Sequence, residues 1–296
     1  MTTTSALQTV PAPSSAALRP LLRLGVRFLA YAILILFTLM MIMPFIYTIT
    51  NSFKTLPDIT ANPQALLPTM GINTSGYERI LAGDFKVWVL NSVIFAVFTM
   101  LAHLLFDSLA GYALARIRFP GRGIAFAGLL GLLMVPTIVL LIPRFLVLTQ
   151  LHMVNTYWGL LLPTAADAFG IFLMKQFFES MPPDIEEAAF MDGASRFRMF
   201  FTIVLPMATP ALTALAIFGF QGAWNDFTDP LIAVGTERSL YTLPLGLAII
   251  QGNTGSALPF DLLLSGAVIT TLPMAVIFFI FQRFFVEGVT YSGIKG

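Results

Sequence analysis

Trp224-Asn225-Asp226-Phe227 sets an aromatic ring, an amide and a carboxylate side by side inside a long apolar stretch. An aromatic ring can stack on the C–H face of a sugar while polar neighbours bond its hydroxyls. An ionisable group inside a membrane segment is costly and marks a functional site by default. A hydrogen bond between helices, or a cap at a helix break, would use the same residues, so both readings stand. Asn91 is a further candidate for lining a substrate path, although a polar group near a span end also serves interfaces. His103 and Asp107 lie four apart and share a helix face. A proton relay or a satisfied structural pair would explain them, and Asp167 is expected against protein or a water-filled cavity. No G-x-x-x-x-G-K-[ST] phosphate loop, H-E-x-x-H pair or G-x-S-x-G elbow occurs. No catalytic residue is assigned, and any ATP-driven work would need a partner to supply the energy.

Membrane helices must position these groups. The chain is 57% hydrophobic and 10% charged, against about 25% charged residues in soluble domains. Apolar runs near 26–49, 87–115, 123–142, 157–178, 206–232 and 263–286 approach or exceed the roughly 20 residues that cross a bilayer. The expected fold is therefore all-α, integral to the membrane, with six transmembrane helices. Residues 1–18 are expected as a disordered tail and 19–296 as the membrane domain. A net charge of +1 without a clustered basic face argues against nucleic acid. The absence of cysteine and the separation of His103 from His152 leave no metal site to propose. Arg19, Arg23, Arg27, Arg116, Arg118, Arg122, Lys175, Arg196, Arg198, Arg283 and Lys295 fall on one side of a six-span topology. The positive-inside rule then puts both termini in the cytoplasm. Residues 50–86 become an extracytoplasmic loop.

The segment 180–206 is a polar interruption with its own helical grammar. Pro183 suits a first helical turn, Asp184, Glu186 and Glu187 complement the helix dipole, and Gly193 can take the left-handed turn that ends a helix. Ser195 can cap a second helix running from Arg196 into Pro206. Ile185, Ala188, Ala189, Phe190 and Met191 give the first helix an apolar face that a free loop has no reason to expose. Interfacial helices are rich in Lys and Arg, whereas this one is acidic, so a protein partner explains it better than lipid headgroups.

Glu187-Ala188-Ala189, then Gly193, Ile203, Leu205 and Pro206 resembles the E-A-A, G, I-x-L-P loop of ABC-importer permeases with every spacing kept. Gly111-Tyr112-Ala113-Leu114-Ala115-Arg116 with Phe119-Pro120-Gly121 is similar to a stretch of the sugar-importer permeases. So are Met134-Val135-Pro136 with Ile142-Pro143, the Trp224–Phe227 quartet and the ending Gly293-Ile294-Lys295-Gly296. Gly111 where alanine is commoner, and the carboxylate of Asp107, depart from the pattern. The resemblance, which covers most of the chain, implies a type I ABC-importer permease of the maltose-type carbohydrate family in a bacterial inner membrane. It implies a sister permease, an ATPase dimer carrying ATP and Mg, and an extracytoplasmic sugar-binding protein, with no cofactor on this chain. Glu186, Glu187, Ala188, Ala189, Asp192, Gly193, Leu205 and Pro206 become the ATPase-coupling residues. Trp224, Asn225, Asp226, Phe227 and Asn91 become the substrate path. The alternatives are a permease for another solute such as a glycerol phosphate, or a self-sufficient ion-coupled transporter, which usually shows internal repeats.

Overall fold

The computed structural model describes residues 15–252 and 260–293, with side chains from Leu24 to Gly252 and from Phe260 to Phe281. Most of the expected tail and the terminal Ile294-Lys295-Gly296 lie outside the described residues, as do the side chains of Arg19, Arg23 and Arg283. No strand occurs among the described residues. Helix α1 (Ser15–Asn51) starts within the segment expected as a tail. Two short helices, α2 (Leu56–Ala61) and α3 (Ser75–Ala82), lead to α4 (Phe85–Arg116). Then come α5 (Arg122–Met134), α6 (Leu141–Gln150), α7 (Tyr157–Leu161), α8 (Ala168–Ser180) and α9 (Asp184–Met191). They are followed by α10 (Arg196–Met199), α11 (Leu205–Met207), α12 (Thr209–Asn225), α13 (Thr228–Val234), α14 (Leu243–Gly252) and α15 (Phe260–Gly293).

Four stretches are long and apolar enough to cross a bilayer: Leu24–Asn51, Phe85–Arg116, Tyr157–Ser180, which is interrupted before α8, and Phe260–Phe281. The other two expected spans are bent. The third turns by 100° between Arg122–Met134 and Thr137–Gln150, where Pro136 supplies no backbone donor and ends the helix. The fifth is shorter than expected. A coupling segment, Arg196–Met207, meets α12 at 82°, and α12 stops at Asn225 rather than running to 232. Pro210 sits in the first turn of α12, where its missing N–H is no loss. Between α10 and α11 the chain makes a π-helical turn, Phe200–Val204, where the sequence predicts plain helix.

Helix α4 is the axis of the bundle, packed along both α8 and α12. Gly111 explains its own departure from alanine. A Cβ there would lie 2.7 Å from the Met174 Cβ and 2.9 Å from the Lys175 backbone nitrogen, so only glycine lets α4 and α8 cross this closely. In lipid the gain comes from packing and interhelical hydrogen bonds rather than from exclusion of water. One buried cluster, with Tyr112, Met174, Phe178, Met199 and Phe200, lies at the α9 end. Another, with Trp88, Phe95, Leu160, Trp224 and Leu245, includes residues from the half of α4 farther from α9. Helix α14, an apolar element outside the six expected spans, packs on α4 and α15, with Leu243 and Leu245 buried. At ten residues it is too short to cross a bilayer.

The segment between α1 and α3 is ordered by one carboxylate. Asp58 is fully buried and accepts from the backbone N–H groups of Thr69 (2.8 Å) and Met70 (3.2 Å) and from the Thr69 hydroxyl. The Thr69 hydroxyl first, and the two N–H donors with it, hold the Asp58 carboxyl below the usual carboxylate range despite burial.

Candidate functional site

Two regions carry the polar chemistry. The first is a cavity of about 260 Å³ beside α4, walled also by α8, α12 and the breaks that flank them. Helix α4 contributes Phe95, Thr99 and His103. Asp167 stands at the break before α8, where its Oδ2 accepts from the N–H groups of Phe169 (3.0 Å) and Gly170 (3.2 Å) and caps the helix. Asp226 stands at the break after α12, its Oδ1 accepting from the N–H groups of Thr228 (2.9 Å) and Asp229 (3.4 Å). Arg144 of α6 reaches across to Asp229 of α13 at 2.7 Å. Phe169 and Phe218 meet edge to face at 5.8 Å on the wall and are each almost half exposed. The cavity thus offers two aromatic faces, three carboxylates, a guanidinium and the Thr99, Thr137 and Thr164 side chains. Rings for C–H faces and charged groups for hydroxyls form a set that suits a polyhydroxylated solute.

Of the quartet read from the sequence, only Asp226 lines this cavity. Trp224 is 1% exposed, stacks on Phe220 at 5.7 Å and donates its indole N–H to the Thr270 carbonyl at 3.2 Å. It anchors α12 to α15. Asn225 is exposed and donates to the Gln221 carbonyl of its own helix, and Phe227 is partly exposed without lining the cavity. Asn91 requires a correction. It is fully buried, donates to the carbonyls of Ser239 (2.9 Å) and Tyr241 (3.0 Å) and accepts from the Tyr157 hydroxyl (2.7 Å). Its hydrogen-bonding groups are engaged by the protein, so it ties α4 to the segments at that end rather than facing a solute. Arg144, Asp229, Phe169 and Phe218 escaped sequence reasoning. Arg144 lies in none of the motifs, and the phenylalanines are lost among 28 of their kind.

His103 and Asp107 do approach, at 3.7 Å between Nδ1 and Oδ2. The other His103 nitrogen bonds the Thr164 carbonyl at 2.9 Å, and Asp107 Oδ1 accepts from the Asp167 N–H at 3.0 Å. The pair braces the break before α8, with His103 on the cavity wall and Asp107 buried behind it.

The second region is the α9 end. Helix α9 begins after Pro183 and closes in a left-handed glycine turn. Gly193 has φ +78°, its N–H donates to the Phe190 carbonyl at 3.0 Å, and the Ala194 N–H reaches the Ala189 carbonyl at 3.0 Å. The Ser195 hydroxyl then accepts from the Arg198 N–H and caps α10. Ala189 turns inward against the buried cluster, and Ile185 is half-buried. Glu187, Ala188, Asp192 and the large side chains of Phe190 (66% exposed) and Met191 (84% exposed) face outward. Leu205 is half-buried and Pro206 exposed in α11. Glu186, expected among the ATPase-coupling residues, is held by its own chain. Arg116 Nε lies 2.9 Å from Glu186 Oε1, and the Tyr112 hydroxyl donates to Oε2 at 3.0 Å. Beside them a groove of about 580 Å³ is lined by Arg116, Arg118, Glu187, Phe190, Met191 and Arg196 among others.

Residues 107–291 match the family described as binding-protein-dependent transport system inner membrane component. The arabinooligosaccharides transport system permease protein AraQ of Halalkalibacterium halodurans is 33% identical over 279 residues, 93% of this chain and 96% of that protein. The trehalose/maltose transport system permease protein MalG of Thermococcus litoralis is 34% identical over 88% of this chain and 94% of its own length. Among solved structures, a chain of a bacterial ABC transporter involved in import of the acidic polysaccharide alginate superposes with a TM-score of 0.76. It covers 93% of this chain and 100% of its own, at 23% identity, and so speaks for the fold.

Proposed function

We infer the function from one premise: the chain belongs to the binding-protein-dependent transport system inner membrane component family, and is a multi-pass permease subunit of an ABC importer. The cargo is a carbohydrate, as the names of its relatives and the aromatic-and-carboxylate cavity both support. The chain pairs with a sister permease, receives its solute from an extracytoplasmic binding protein, and binds no cofactor itself. ATP and Mg reside on a separate ATPase dimer at the cytoplasmic face. The basic residues that cluster toward the α9 end support placing that end, and both termini, in the cytoplasm.

The observation that carries this reading is the outward face of α9. Phe190 and Met191, with Phe197 (72% exposed) on α10, present apolar surface at a polar end of the molecule. Burying each such side chain in a partner's cleft is worth about 1.5–3 kcal/mol. Glu187 and Asp192 beside them can pair with basic groups on that partner. The coupling residues are then Glu187, Ala188, Asp192 and the large side chains outside, with Ala189, Gly193, Leu205 and Pro206 shaping the element that moves. ATP binding closes the ATPase dimer, the docked helices follow, and the cavity changes the side to which it opens. The ATPase can only shift that equilibrium by its differential contacts with the two states.

The test is ATP-driven uptake by the reconstituted complex. Asp226→Ala is expected to lower uptake of di- and oligosaccharides and to change their stimulation of ATP hydrolysis. Uptake that persists without any ATPase subunit and follows a proton or sodium gradient refutes the reading.

A further inference from the structure

The coupling helix is joined to the bundle twice, once by the chain and once by side chains. The chain link runs from α8 through Met181-Pro182-Pro183, and Met181 is extended at φ −75°, ψ 141°. Helices α8 and α9 are therefore separated by a turn, so a push on α9 is not transmitted along one continuous rod. The side-chain link runs to α4. Tyr112 and Arg116 lie one turn apart on its last two turns and grip the two oxygens of Glu186. Arg116 also donates to the Met181 carbonyl, on the turn itself. The grip is sheltered: Tyr112 is 5% exposed, and the Arg116 and Glu186 side chains are 16% and 17% exposed.

Resting on the ATPase-coupled reading above, we propose that Tyr112, Arg116 and Glu186 are positioning residues that make α4 move with the coupling helix. Helix α4 is unbroken from Phe85 to Arg116 and places Thr99 and His103 on the cavity wall. At 1.5 Å per residue those groups stand about 20–25 Å from Arg116. Rigid elements with two arrangements can carry coupling over such distances. A tilt imposed at the Arg116 end is thus delivered to the cavity by a single rod, and the Glu186 contacts are where the rod is held.

The chain contains no cysteine, so one cysteine introduced at exposed Gly222, on the α12 wall of the cavity, reports on access without knowledge of the sugar. The assembled complex in nanodiscs is treated with a membrane-impermeant maleimide, nucleotide-free and trapped with ATP and vanadate. With no other change in the chain, trapping is expected to alter the labelling rate about tenfold, the scale of typical coupling between sites. Arg116→Glu or Glu186→Arg is expected to shrink that response to about twofold while ATP hydrolysis continues, and the double exchange to restore most of it. Tyr112→Phe, which removes one hydroxyl, is expected to give an intermediate response, and decides the matter if the charge variants fail to assemble. A full response in Arg116→Glu or Tyr112→Phe, or a double exchange no better than the single changes, overturns the proposal. A complex without any response before these changes would overturn the ATPase-coupled reading itself, and this proposal with it.

Discussion

Gly193 offers the cleanest perturbation of the coupling element. Its φ of +78° lies in the left-handed region, and nothing stands within 4 Å of where a Cβ would be. Any cost of a side chain is therefore backbone strain, with no steric clash against the bundle. For most L-residues that strain is about 1–2 kcal/mol, and Asn tolerates the region better. A β-branched residue is the worst case. If Gly193→Val relieves the strain by leaving the turn, the hydrogen bonds to Ala189 and Phe190 are lost and the end of α9 frays. A penalty of about 1.4 kcal/mol lowers the ratio of docking-competent to frayed shapes tenfold. Uptake per assembled complex should then fall in Gly193→Val, by up to about tenfold where the frayed shape comes to dominate. Gly193→Asn should lose no more than about threefold by the same arithmetic. Thermal unfolding of the purified chain should barely move, since Gly193 lies outside both buried clusters. Uptake assays on the two variants side by side decide it. Equal losses in Val and Asn, or normal transport in Val, would refute the argument from backbone conformation.

Other perturbations separate structure from transport. Asn91→Leu leaves two carbonyls and a tyrosine hydroxyl without their partner, which should cost about 1–3 kcal/mol of stability. It should be visible as a lowered Tm in detergent with unchanged KM for uptake, and a changed KM would return Asn91 to the substrate path. Arg144→Gln leaves Asp229 facing Asp226 without its cation, so uptake should drop several-fold, and Arg144→Gln with Asp229→Asn should recover part of it. For Asp58 the folded carboxyl titrates below its unfolded value. Its contribution to stability is present above the ordinary carboxylate pKa of 3.8 and lost as pH falls through the lower folded value. Protection of the Thr69 and Met70 amides against hydrogen exchange, taken relative to the intrinsic rate at each pH, should fall on acidification through that window, and Asp58→Asn should remove the dependence.

Much of the architecture follows from local signals. Hydropathy located the long spans because α1, α4 and α15 are apolar over more than a bilayer's thickness. The α9 turn was legible because each of its parts is local: Pro183 at the start, acids in the first turn, Gly193 at the stop, Ser195 as the next cap. The breaks were harder. A window average over 206–232 cannot tell a continuous helix from one interrupted at Asp226, since both have the same composition. The cavity was hardest of all. Arg144 and Asp229 are 85 residues apart and meet at 2.7 Å, and nothing in either local context announces the other. The aromatic beside a carboxylate in Trp224–Phe227 suggested a sugar site, but helical geometry turns Trp224 away from Asp226 and into the core.

Helix α1 is the first span and the most apolar, with a mean hydropathy of 2.5 over its best window. From Leu24 to Tyr47 every residue is exposed, and its main neighbour in the chain is α15. Insertion and folding are therefore separable for this element. Entry into the bilayer needs only its hydropathy, while the bundle around α4 can form without its help. Within this chain, substitutions along α1 answer first to the lipid and only secondarily to the fold. A scan of apolar exchanges there should leave the stability of the bundle nearly flat, where the same scan along α4 would not.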